Sequence, residues 1–146
     1  MGSRSLRETL RRLPKAELHC HLDGSVRPAT LAELAAESGV KLPATGTEEV
    51  ARLMHVTDAA HLEDYLQRFE YTISVMQTEE SLERVAYELV ADAHADGVRY
   101  IEVRNAPLLN TRRGLSLDAV VDATVRGLQR GEREFGVVAR FIVCAL

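Results

Sequence analysis

The stretch Gly97-Val-Arg-Tyr-Ile-Glu-Val-Arg104 joins the end of a helix to a strand, and the fold is read outward from that junction. Upstream, Leu82, Val85, Ala86, Leu89, Val90 and Ala93 recur at helical spacing. They follow Thr78, a good N-cap, with Glu79 and Glu80 placed to suit the positive end of the helix dipole. Gly97 stops that helix, and the run after it is rich in the β-branched and aromatic residues that strands prefer.

The same grammar recurs on both sides. Downstream, Ser116 caps a helix with Asp118 in its first turn and Leu117, Val120, Val121, Val125 and Leu128 facing inward. Gly136 ends it, and Val137 to Ala145 reads as a further strand. Before the junction, Ala16 to Leu22 reads as the first strand. Pro28 to Ser38 reads as a helix that opens on proline and closes on Gly39. A second helical pattern spans His61 to Met76, while Lys41 to Thr57, polar and broken by Pro43 and Gly46, reads as a loop. Strands alternating with helices predict an α/β fold with a parallel sheet, its three strands buried.

The chain closes on the strand Val137 to Ala145, with no helix after it to cover that strand. Three parallel strands cannot close a barrel, so the expectation is an incomplete domain rather than a small self-sufficient one. Composition excludes several classes. The 146 residues are 46% hydrophobic and 27% charged, enough for a soluble core. A net charge of -4 gives no reason to expect nucleic acid or an anionic membrane as partner. No run approaches the roughly 18 apolar residues of a membrane span. Arg4, Arg7, Arg11 and Arg12 make the opening locally basic, but Glu8 interrupts them and no apolar segment follows; this reads as a solvated end rather than a signal peptide. Cys20 and Cys144 are too few for a disulfide framework. Cytoplasmic localisation is the resulting expectation.

Chemistry concentrates in Leu13-Pro-Lys-Ala-Glu-Leu-His-Cys-His-Leu-Asp-Gly-Ser25. His19 and His21, two apart on a strand, project to one face and can approach one cation. Imidazole suits zinc, and also iron and nickel. Asp23 and Gly24 follow at the C-terminal strand end, where reacting groups gather in parallel α/β proteins. The competing reading is a pair of histidines flanking a core. His55, His61 and His94 sit in a loop or on helices and read as surface residues.

That segment closely resembles the opening strand motif of the adenosine deaminases, metal-dependent aminohydrolases built on a (β/α)8 TIM barrel. The resemblance extends to Tyr65-Leu-Gln-Arg-Phe-Glu-Tyr71, Val85-Ala-Tyr-Glu-Leu89 and Gly97 to Arg104 with Ala106-Pro107. It implies that residues 1–146 form the N-terminal part of one such barrel, about its first three strands, with a helical lid insertion at about 41–78. It implies zinc as cofactor, held in part by His19 and His21. It implies a small purine nucleoside as substrate, touched by His21 and by Asp23 at the ribose. In related adenine deaminases Glu typically stands at the position of Asp23, so Asp23 favours a nucleoside over a free base. Leu62, Tyr65, Leu66 and Phe69 fall at i, i+3, i+4 and i+7, one helical face. Alone such a stripe reads as core; in the family it forms an apolar wall over the pocket.

The reaction so implied is hydrolytic deamination of adenosine, and of deoxyadenosine, to inosine and ammonia in purine salvage. The remaining zinc ligands and the catalytic acid come in the family from later strands, so no catalytic residue is expected within this chain. The missing C-terminal part of the barrel is then the expected partner, and the chain alone is expected to be inactive. Asn105 departs from the pattern, standing where the family often has an aromatic residue. Three rivals remain: a deaminase of a related purine such as adenine, a metal-dependent phosphoesterase opening with His-x-His, and a truncated non-catalytic fragment. The phosphoesterase predicts more His and Asp soon after His21, whereas Leu22-Asp-Gly24 and a proline-started helix follow. His61-Leu-Glu63 matches half of the signature of polynucleotide and cytidine deaminases, but the required Pro-Cys-x-x-Cys is missing.

Overall fold

The computed structural model describes residues 5–55 and 62–145, with the side chains of residues 62–65 outside that description. In order, it contains α1 (Leu6–Arg12), β1 (Lys15–His21), α2 (Pro28–Ser38), α3 (Gly46–Met54), α4 (Leu62–Val75) and α5 (Glu79–Ala95). These are followed by β2 (Val98–Asn105), a 3-10 turn (Pro107–Asn110), α6 (Leu117–Phe135) and β3 (Val138–Val143). The three strands form one parallel sheet in the order β1-β2-β3. Consecutive parallel neighbours joined by helical crossovers are the unit from which barrel walls are made.

The strand–helix alternation arises from local signals. Thr78 and Ser81 close a reciprocal capping box at the start of α5. Ser116 caps α6, and the αL residues Gly39 and Gly136 end α2 and α6. Helix α5 presents Leu82, Val85, Ala86, Leu89 and Val90 to a core that includes Ile101 and Val103 of β2 and Val120 of α6. α5 and α6 meet unusually closely. A Cβ on Gly127 would stand 2.2 Å from the Glu83 carbonyl oxygen, and one on Gly131 would stand 2.6 Å from Val90 Cβ.

Three sequence expectations are corrected. Lys41 to Thr57 is not all loop: α3 occupies its middle, with Thr45 donating through its backbone N–H and hydroxyl to the Glu49 carboxylate and Val50 buried. Pro43 and Gly46 signal a break, but they sit just outside and at the start of a helix they do not interrupt. The basic opening is exposed over its described residues, as expected of a solvated end, and holds a short helix, α1, capped by Ser5. Lys15 Nζ donates to the carbonyls of Leu10, Arg11 and Leu13 at its end. β1 is a strand but not a buried one, because it is a sheet edge; most of its residues, Leu18 included, are exposed. β3 is likewise half open, and spans Val138–Val143 rather than Val137 to Ala145. The helix expected from His61 to Met76 is present as α4; His61 itself lies outside the described residues.

The α5–α6 seam can be tested directly. Gly127→Ala gains about 1 kcal/mol of helix propensity but drives a methyl into a backbone oxygen, and overpacking costs about 1–3 kcal/mol or more. The variant is expected to be less stable, with a lower urea midpoint at unchanged slope. Stability equal to wild type would show that the two helices are free to separate.

Candidate functional site

A cleft of about 650 Å³ opens at the C-terminal end of β1, lined by His19, His21, Asp23, Gly24, Leu66 and Phe69 among others. Its volume is in the range of small-molecule sites. The pairing of β1 with β2 fixes the strand that carries the two histidines. His21 stands opposite Arg104, and Leu22 N–H continues the ladder by donating to the Arg104 carbonyl at 3.0 Å. Between Glu17 and Cys20 the register slips: three steps along β1 are matched by two along β2, from Ile101 to Val103. This bulge is the device that proteins use beside active sites to re-aim a side chain. Periodicity alone does not reveal it.

The two histidines are brought together, with ring centroids 5.2 Å apart and planes tilted by 45°. Two imidazoles on one tetrahedral ion, each bound at about 2.1 Å, place their centroids about 5 Å apart, so the pair fits a shared metal. His19 Nε2 lies 3.0 Å from Arg104 Nη1. A guanidinium has only donors, so Nε2 is the nitrogen carrying the lone pair, which already faces a cation. Among the described residues no group of three or more His, Cys, Asp or Glu side chains could hold a metal. The two imidazoles are the candidate donors that this cleft brings together.

Asp23 is brought to the same place. It is 9% exposed, its Oδ1 makes no hydrogen bond, and that oxygen lies 3.6 Å from His21 Nδ1. Burial pushes its carboxyl above the ordinary value of 3.8, opposed by the His21 ring and by the Asp23 and Gly24 backbone N–H groups. A buried acceptor without a partner, in a cleft, is a place for a ligand's donor.

Helix α4 roofs the cleft. Phe69 meets His21 edge to face at 6.3 Å, and its ring is 3.3 Å from where a Cβ on Gly24 would stand, so glycine keeps the turn under the roof. Leu66 also lines the cleft while half exposed, and so belongs to a wall rather than to the core. Leu62 and Tyr65 lie on α4, with side chains outside the described set. His55 and His94 are exposed; His94 packs on Phe135 at 5.7 Å, away from the cleft. Asn105 turns away into a buried bridge: its amide donates to Asn110 Oδ1, and the Asn110 amide donates to the Met76 carbonyl. Two carboxamides thus close the end of β2 and tie it to the end of α4. Asn110 carries no signal in the sequence. Glu70 fastens α4 from outside, accepting two hydrogen bonds from Arg112 at 2.7 and 3.0 Å.

Comparison with known proteins agrees with this geometry. The adenosine deaminase family profile matches residues 14–146. The adenosine deaminase of Shewanella woodyi is 44% identical over 135 residues, covering 92% of the chain and 41% of that protein. The chain is similar in structure to an amidohydrolase from Burkholderia ambifaria with bound Zn, at TM-score 0.79 and 30% identity, covering 98% of the chain and 38% of that protein. It is also similar to the adenine deaminase of Arthrobacter aurescens, at TM-score 0.76 and 31% identity, covering 88% and 38%. The chain therefore spans about two fifths of the length of the relatives it matches. These likenesses identify the three-stranded sheet as the opening wall of a metal-dependent hydrolase TIM barrel.

The Glu70–Arg112 fastening has a pH signature. Arg112 holds the Glu70 carboxyl below its ordinary 4.5, so its contribution is present above that value and is lost as pH falls through the lower folded value. The pair is exposed and is worth under about 1 kcal/mol. Arg112→Ala is expected to be slightly less stable than wild type at pH 7, and the gap should close below about pH 4.5 in urea titrations. A gap that persists into acid would assign the effect to packing.

Proposed function

The chain belongs to the adenosine deaminase family, and on that premise we propose that the protein carrying it hydrolyses adenosine, and deoxyadenosine, to inosine and ammonia in cytoplasmic purine salvage. The observation that carries the nucleoside is Asp23, a buried carboxyl with an unsatisfied oxygen beside His21. A ribose hydroxyl is the donor that this oxygen lacks, and a free base has none to offer.

His19 and His21 would hold zinc, two ligands of a set completed by strands from the rest of the barrel. When bound, zinc supplies activation of water at neutral pH by lowering its pKa from about 15.7 toward 7. The chain's own groups position the substrate. His21 lies against the purine, and Asp23 accepts from the ribose. Phe69 and Leu66 wall the cleft against water, on the helix that also carries Leu62 and Tyr65, as a lid within residues 41–78. Residues 1–146 are the opening part of a single barrel domain, and the remainder of that barrel is the partner on which activity depends. The general acid and the steering groups are assigned to that remainder, so no catalytic residue is placed in this chain.

The full-length protein is expected to carry about one zinc per chain and to consume adenosine, followed by loss of absorbance at the adenosine band. His19→Ala is expected to lose the metal and His94→Ala to keep it. Asp23→Ala is expected to weaken adenosine binding about ten- to a hundredfold, the range for losing a hydrogen bond to a charged group. A zinc-loaded protein that turns over adenine and leaves adenosine untouched would replace this reading with the free-base one.

A further inference from the structure

The His19–Arg104 contact points beyond ligand assignment. Among the described residues, Arg27, Arg84, Arg112, Arg126 and Arg140 each have a carboxylate within ion-pair distance, whereas Arg104 has none; Arg99 and Arg113 also have none but donate to backbone carbonyls, not to a histidine. Its polar partner is His19 Nε2 at 3.0 Å. Its backbone is fixed, because its carbonyl accepts from Leu22 N–H in the β1–β2 ladder. Only the side chain is free to swing. A cation without a carboxylate partner among the described residues is therefore held at bonding distance from the His19 lone pair.

We propose that Arg104 is a built-in competitor for the metal: its guanidinium takes the His19 Nε2 lone pair, and a metal ion binds there by displacing it. The proposal rests on the assignment of His19 as a ligand. One nitrogen lone pair serves one cation at a time, and a histidine binds metal only through that lone pair. After displacement, the arginine remains tethered to β2 beside a dication, where like charges repel. Arg104 thus lowers both the affinity of the site and the rate at which it fills. It is a positioning residue for His19 and touches neither substrate nor reacting water.

The test uses the full-length protein stripped of metal by a chelator. Zinc affinity is read by competition with a chromophoric chelator, and uptake by stopped-flow absorbance. Arg104→Gln is expected to bind zinc about tenfold more tightly or more, in the range by which neighbours of metal ligands tune affinity, and to fill faster. Arg104→Met should do the same, and serves if the glutamine variant fails to fold, since it preserves the apolar stem. Arg104→Lys, which keeps the charge, should stay near wild type. Arg140→Gln removes a guanidinium that is bonded to Glu132 and not to a histidine, and should change nothing. In a His19→Ala background, Arg104→Gln should lose its effect, as a double-mutant cycle requires of direct coupling. Unchanged or weaker zinc binding in both Arg104→Gln and Arg104→Met overturns the proposal. Wild-type zinc affinity in His19→Ala would instead overturn the metal assignment beneath it, so the two failures are distinguishable.

Discussion

Everything in the cleft hangs on the parallel pairing of β1 with β2. That pairing sets His21 opposite Arg104, and its bulge between Glu17 and Cys20 sets where His19 points. The pairing is held in turn by what lies behind β2. Ile101 and Val103 are buried against the α5–α6 pair, and that pair can approach so closely because Gly127 and Gly131 carry no side chain. A chain of short-range contacts thus runs from a glycine seam on the outside to an imidazole pair on the inside. Rigid support behind an exposed ligand pair is what a metal site requires, because ligand geometry tolerates little slack.

Much of this was legible in the sequence, for definite reasons. Thr78, Gly97, Ser116 and Gly136 mark element ends through capping chemistry that operates within a few residues. His19, His21 and Asp23 are close in sequence, so their meeting needs only a strand and a turn. Leu66 and Phe69 share a helical face, and the structure places that face over the cleft. What was hidden depends on partners far along the chain. The bulge exists only relative to β2. The Asn105–Asn110–Met76 bridge spans three elements, and Arg104 reaches His19 across 85 positions. The helix at Gly46–Met54 was missed for a different reason: breaker residues at its edge outweighed a cap that acts through Glu49.

The burial of the strands carries a related lesson. Val98–Asn105 alternates between buried and partly exposed positions because it has neighbours on both sides and helices behind it. Val138–Val143 and Lys15–His21 have the composition of interior strands and stand at the edges of the three-stranded sheet of a chain that spans about two fifths of its relatives' length, so their exposure belongs to this stretch of chain and not to its composition. Apolar content states what a strand can tolerate. Topology decides what it receives.

The bulge in β1 also changes what a motif match means. The extra residue between Glu17 and Cys20 is absorbed between two pairings that stay in step with β2, so deleting it would keep both pairings and straighten only the backbone that carries His19. The letters His-x-His-x-Asp would survive such a deletion unaltered and His21 would still stand opposite Arg104, but His19 would lose the local bend that aims it. Drift by insertion or deletion could therefore silence this site in a descendant whose signature still scans as intact. For this architecture, the spacing between Glu17 and Cys20 is as much a part of the hereditary message as the histidines themselves.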